Sequence, residues 1–181
     1  MYSILLSIFF LFSHHIYPFE PIQLSMIGAL TVGFPSFVLA LQPNRNIVRG
    51  NFTFNIITRA APASICIALN IILISLLSGT FGISQAELST MAVYTTSLIG
   101  IMLIIRLCIP FNALRYAMLA ISCAGVAIAT IFFRDFFKLV TLSHNALIMQ
   151  LVTLAIMIAL FNVLYHFADK QIEKWKNKPA K

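Results

Sequence analysis

Charge is what this sequence has least of. Five acidic and twelve basic residues make up 9% of its 181 positions, where a soluble domain carries roughly a quarter. A water-soluble globular enzyme is therefore excluded. Cysteine is scarce as well: Cys66, Cys108 and Cys123 are an odd number, none in C-x-x-C spacing. That argues against a disulfide framework or a thiolate metal site, and all three are expected to be small buried hydrophobes. G-x-G-x-x-G, Walker A, H-E-x-x-H and G-x-S-x-G motifs are all missing, so the chain has neither a glycine-rich phosphate cradle nor a soluble catalytic apparatus. The formal charge of +7 and pI near 9.7 come without a basic patch interleaved with aromatics. Nucleic acid is thus not an expected partner.

What is present is hydrocarbon: 60% hydrophobic residues, 16 Phe among them, and a mean hydropathy of +0.96. These residues run the whole length of the chain, so a single core with a polar shell cannot absorb them and the bilayer must be the solvent. A membrane-crossing helix needs roughly 20 apolar residues. Five stretches qualify: 22–41, 60–77, 91–107, 116–133 and 147–165. A sixth, 1–13, rises only about 20 Å as a helix and reads as a truncated span. It is not read as a signal peptide, since no Lys or Arg precedes it and no A-x-A-like site follows. The expected fold is all-α: a polytopic transmembrane helical bundle forming one membrane domain over 1–181, with five full spans, a truncated N-terminal span and a tail at 166–181.

Lysine and arginine are retained on the cytoplasmic side. Placing 42–59, 106–115 and the tail on one face gathers ten of the twelve basic residues there and leaves Arg134 and Lys138 opposite. The expected protein is multi-pass in the cell membrane, with residues 14–21 outside and the C-terminus cytoplasmic. Its truncated first helix then rises from the cytoplasm. Trp175 is expected near the headgroups.

The second span is the informative one, because Gly28, Thr31, Gly33 and Pro35 crowd into its middle. Pro35 removes a backbone donor and clashes with the preceding turn, and glycine stabilises a helix poorly. The helix should kink or unwind there. Such an interruption frees carbonyls that coordinate cations at the bilayer midplane, with Thr31 adding a hydroxyl, or it serves close helix packing. No Asp, Glu, Lys or His falls within a full span, which argues against a proton relay or a high-charge divalent site made by this chain alone. Asn70, Tyr94, Thr95, Thr96, Ser97, Ser122, Gln150, Thr153 and Asn162 are the neutral candidates, and bonding between helices is their expected role. Arg106 reads as a snorkelling anchor. His14 and His15 read as an interfacial polar cap, since adjacent helical residues diverge by about 100°. The Asn51-Phe52-Thr53 sequon falls on the expected cytoplasmic face.

Pro21-Ile22-Gln23-Leu24, then Leu30-Thr31-Val32-Gly33-Phe34-Pro35, then Gln42-Pro43-Asn44 resembles the sixth transmembrane helix of P-type cation-transporting ATPases. In that family this helix lines the cation site, and the calcium pumps write it N-x-x-T-D-G-x-P. Gly28 stands at their Asn and Val32 at their Asp, while Thr31, Gly33 and Pro35 match, so two of three side-chain ligands are replaced. The pattern is most similar to a bacterial subgroup whose mycobacterial members are linked to calcium uptake. The order of helices and loops resembles helices five to ten of the family. D-K-T-G-T, the nucleotide-binding and actuator domains and helices one to four are not in this chain.

The resemblance implies the membrane transport portion of an ATP-driven cation pump, calcium being one candidate. Thr31, Gly28, Gly33 and Pro35 would lie on the cation path. The implied partners are the lipid bilayer, the transported cation, and the upstream ATPase domains with helices one to four. ATP and Mg2+ would act in the complete pump, with no cofactor held here and no catalysis by this chain alone. A different class of reading is a stand-alone small integral membrane protein, an accessory or assembly subunit whose Gly and Pro serve packing. A secondary transporter is disfavoured by the lack of midplane ionisable groups and of an internal repeat.

Overall fold

With no water in the hydrocarbon layer, each apolar run has to satisfy its own backbone, and every run here does so as helix. The computed structural model of the chain describes residues 1–13, 16–41, 52–109 and 111–176. His14, His15, the turn at 42–45, Arg49 and Asn51 lie outside the described residues, as do the chain end from 177 and the side chains of Lys174, Trp175 and Lys176. In chain order come α1 (Tyr2–Phe12), α2 (Pro21–Ile27), a π-helical segment (Gly28–Gly33), α3 (Phe34–Leu41), α4 (Phe52–Phe81), α5 (Gln85–Leu107), α6 (Ala113–Ile131) and α7 (His144–Lys176). Among the described residues there is no strand. Five helices are long and apolar enough to cross a membrane: Pro21–Leu41, Ile56–Phe81, Gln85–Leu107, Ala113–Ile131 and His144–Ile172. The all-α, polytopic expectation holds, with α1 as the shorter apolar helix before them.

Local chemistry sets several boundaries. Ser84 Oγ accepts the Glu87 N–H at 3.3 Å, and Glu87 Oε2 accepts the Ser84 N–H at 3.0 Å. This reciprocal cap starts α5. Gly82, at φ +65, takes the left-handed conformation that ends α4. Asn112 caps α6 through its side-chain oxygen, 2.8 Å from the Ala113 nitrogen.

The helix α4 is the central post, packed by α1, α5 and α7. Cys66, Ile71, Ile99 and Phe161 are fully buried around it. Over half of the membrane-length stretches of α4 and α5 is inside the molecule, against 22% for Pro21–Leu41 and 17% for Ala113–Ile131. The helix carrying the Gly/Pro cluster is therefore peripheral in this chain. It packs on α5 and α6 with one side and presents Val32, Phe37 and Leu41 outward.

One side-chain expectation is corrected. Cys66 and Cys108 are buried but Cys123 is exposed, because α6 offers the bundle only a narrow stripe and a thiol is apolar enough to face outward. Arg106, read as a snorkelling anchor, also ties two helices together. Its guanidinium donates to Asn162 Oδ1 at 2.7 Å and lies 5.3 Å from the centre of the Tyr165 ring, joining α5 to α7.

Candidate functional site

Pro35 has no N–H to donate, and its ring would strike the carbonyl of the preceding turn in a regular α-helix. The chain widens that turn instead. Over Gly28–Gly33 the backbone pairs in the i→i+5 pattern, and the Phe34 N–H donates to the Ala29 carbonyl. The expected kink or unwinding is replaced by a π-helical segment inside an otherwise continuous helix. Glycine at both ends permits it: a Cβ on Gly33 would lie 3.3 Å from the Gly28 carbonyl oxygen.

The segment has two sides. Thr31 and Pro35 are buried, and the Thr31 hydroxyl donates to the Ile27 carbonyl at 2.7 Å. Thr31 lies on Gly100 of α5 and Leu30 lies on Gly125 of α6, each so close that a methyl group on the glycine would contact it. On the other side Gly33 is exposed, Val32 is 59% exposed and Gly28 has no neighbour within 4 Å of an added Cβ. The four residues singled out in the sequence therefore do not close around one point. Thr31 and Pro35 face the bundle, and Gly28 and Gly33 lie toward its open side.

Ser97 and Ser122 are the polar residues nearest in register to this seam. Each stands three positions from a contacting glycine, Gly100 or Gly125, on the same stretch of helix surface. Both are buried, and their hydroxyls have no hydrogen-bond partner among the described residues. The helix-bridging role expected of them is not seen. It is seen for Asn70, Thr95 and Gln150, which bond to one another across three helices, and for Asn162. Thr96 and Thr153 instead return to carbonyls of their own helices. Tyr94 is half-buried.

The segment is held in place from the end where α2 begins. Gln23 is fully buried; its Oε1 accepts from Ser89 Oγ at 2.7 Å and from the Glu20 N–H at 3.2 Å, and its Nε2 donates to the Phe137 carbonyl at 3.2 Å. Lys138, at the left-handed φ of 53, reaches Glu20 at 2.6 Å. Thr90 Oγ1 and Glu87 Oε1 accept the Val140 and Ser143 N–H groups, tying the α6–α7 connection to α5. A cleft of about 620 Å³ opens at this end, lined by Tyr17, Glu20, Gln85, Ser89, Asp135 and Lys138 among others. The break does not line it. Among the described residues no three His, Cys, Asp or Glu side chains converge as a metal site would require. What the break offers a cation is neutral oxygen: the Thr31 hydroxyl and the backbone carbonyls of the π turn, one of which loses a donor because Pro35 has no N–H.

Known proteins are similar in sequence to part of this chain. Over 128 residues the chain is 33% identical to the probable cation-transporting ATPase exp7 of Streptococcus pneumoniae, covering 71% of this chain and 16% of that protein. It is 25% identical over 122 residues to the calcium-transporting ATPase CtpE of Mycolicibacterium smegmatis, covering 65% of this chain and 15% of that protein. The CtpE of Mycobacterium tuberculosis is 26% identical over 121 residues, with the same coverage. No family model and no solved structure matches. The chain spans about one sixth of the length of these curated relatives. It is related in sequence to cation-transporting P-type ATPases, as the segment from Pro21 to Pro35 suggests.

Proposed function

We propose, from that relationship, that the chain is the membrane transport portion of an ATP-driven cation pump and that the π-helical segment is part of its cation path. The observation that carries this is the widened turn itself. Its Thr31 hydroxyl donates to the Ile27 carbonyl, and its carbonyls would lie at membrane depth, where irregular backbone is tolerated only if buried or lining a cavity. Two states of such a segment differ in which carbonyls are free, so a push on the helix shifts the balance between holding and releasing an ion.

ATP and Mg2+ would be bound by other parts of the complete pump. This chain has no phosphorylation motif and no phosphate-cradling loop, and its described residues include no carboxylate cluster. Its own share of the work is to offer oxygen ligands and to move. Calcium is the first cargo to test, because CtpE is named for it. With Gly28 and Val32 in place of Asn and Asp, the charge compensation a divalent ion requires would come from helices outside this chain. The open side with Val32 and Gly33 is where those helices would pack, and the C-terminus would be cytoplasmic.

The deciding experiment is cation uptake into vesicles by the complete protein carrying Pro35→Ala. Restoring the N–H favours a regular helix over 28–33 and lets the wide turn move away from there, and transport should be lost. Undiminished transport would leave the glycines and the proline as packing devices, as in an accessory membrane subunit, and would remove the cation path from this helix.

A further inference from the structure

Asn70, Thr95 and Gln150 form a buried polar cluster where α4, α5 and α7 meet. Asn70 and Thr95 are fully buried and Gln150 is 5% exposed. Thr95 Oγ1 donates to Asn70 Oδ1 at 3.0 Å and accepts from Gln150 Nε2 at 3.1 Å. Two amide atoms then remain buried without a partner, Asn70 Nδ2 and Gln150 Oε1. One is a donor and the other an acceptor. Turning both carboxamides over reverses the bonds to Thr95 and leaves Asn70 Oδ1 and Gln150 Nε2, again one of each. The leftover pair is fixed by the chemistry of two amides and one hydroxyl.

That parity selects the ligand. A cation would draw both amide oxygens inward and strand two NH2 groups in an apolar interior; an anion would strand two carbonyls. A molecule that accepts one hydrogen bond and donates another fits without stranding anything. We infer that Asn70, Thr95 and Gln150 hold a single internal water molecule, which accepts from the Asn70 amide and donates to the Gln150 amide. The terminal torsion of Gln150 is broad, which lets its amide turn toward the molecule. The joint between α4, α5 and α7 is then a hydrated, uncharged one. This inference is independent of the cation path, which lies on the other side of α5.

The test is a density map of the native full-length protein in lipid nanodiscs, at a resolution that shows ordered solvent, in sodium, potassium and choline buffers. The expected result is one isolated peak about 2.7–3.2 Å from both amides, equally strong in all three buffers and lost in Gln150→Met. A direct Asn70–Gln150 hydrogen bond with no peak overturns the inference. So does a peak that strengthens with sodium or potassium or draws in both amide oxygens. Should Gln150→Met not fold, the three wild-type maps decide alone.

Discussion

Thr31 and Gly100 meet across the seam between the π-helical segment and α5 with no space for a methyl group between them. A Cβ on Gly100 would lie 3.2 Å from Thr31 Cβ and 3.4 Å from its Oγ1. Gly125 makes the matching approach on α6, where an added Cβ would come within 2.8 Å of Leu30 Cδ2. Gly125 is the tighter of the two, but the glycines press on different things, a hydroxyl-bearing residue of the break and the tip of an aliphatic side chain.

Gly100→Ala gains about 1 kcal/mol of helix propensity and loses about 1–3 kcal/mol to overpacking. The net cost is up to about 2 kcal/mol, and the Thr31 hydroxyl is displaced. Transport by the complete protein should fall about tenfold, equivalent to about 1.4 kcal/mol. Gly125→Ala moves only the Leu30 methyl and should transport normally. Vesicle uptake and thermal unfolding of both variants check this, and a Gly125→Ala defect larger than that of Gly100→Ala would contradict it.

Gly28 and Val32 border open space, with no atom within 4 Å of a Cβ at Gly28 and Val32 59% exposed. Gly28→Asn combined with Val32→Asp should fold, since both positions border open space. It adds two oxygen ligands, one of them charged, on the open side of the break. Calcium affinity of the complete protein should rise about tenfold or more, a gain of about 1.4 kcal/mol. Equilibrium calcium binding measures it, and unchanged affinity would show that the open side of the break does not face the ion.

Gln23 should matter far more than the ion pair beside it. Gln23→Leu strands the Ser89 hydroxyl and the Phe137 carbonyl in the interior, and stability should drop by about 2 kcal/mol or more. Glu20→Gln breaks the pair with Lys138, whose side chains are 41% and 65% exposed respectively, and should cost under about 1 kcal/mol, less at high salt. Thermal unfolding in detergent at two ionic strengths separates the two cases, and the reverse ranking would sink the assignment of Gln23 as the anchor.

The break was legible because its causes are local: a missing N–H at Pro35 and two glycines without a Cβ. Its π form was not, since the sequence marks the lost donor but not the register in which neighbouring carbonyls find new partners. Gln23 stood in the sequence only as a letter of Pro-Ile-Gln-Leu. Its partners Ser89 and Phe137 are 66 and 114 residues away, and no periodicity encodes such pairs. The exposure of Cys123 was hidden for a different reason. Lipid and protein interior are both apolar, so hydrophobicity along α6 does not distinguish the face that packs from the face that does not. The Asn70–Thr95–Gln150 cluster was half legible: its residue types announced bonding between helices, and only the fold chose which of nine candidates met.

The i→i+5 ladder holds one residue more per turn than the helix on either side of it needs. Gln23 fixes the near end of that helix, and α3 is seated on α6 at the far end. Between two fixed ends a surplus residue behaves like a dislocation in a crystal. Hydrogen bonds can be exchanged one at a time so that the wide turn migrates along the chain, but it cannot vanish unless an end lets go. Deleting a single residue between Gly28 and Gly33 would remove the dislocation outright, whereas any substitution merely changes where it prefers to rest.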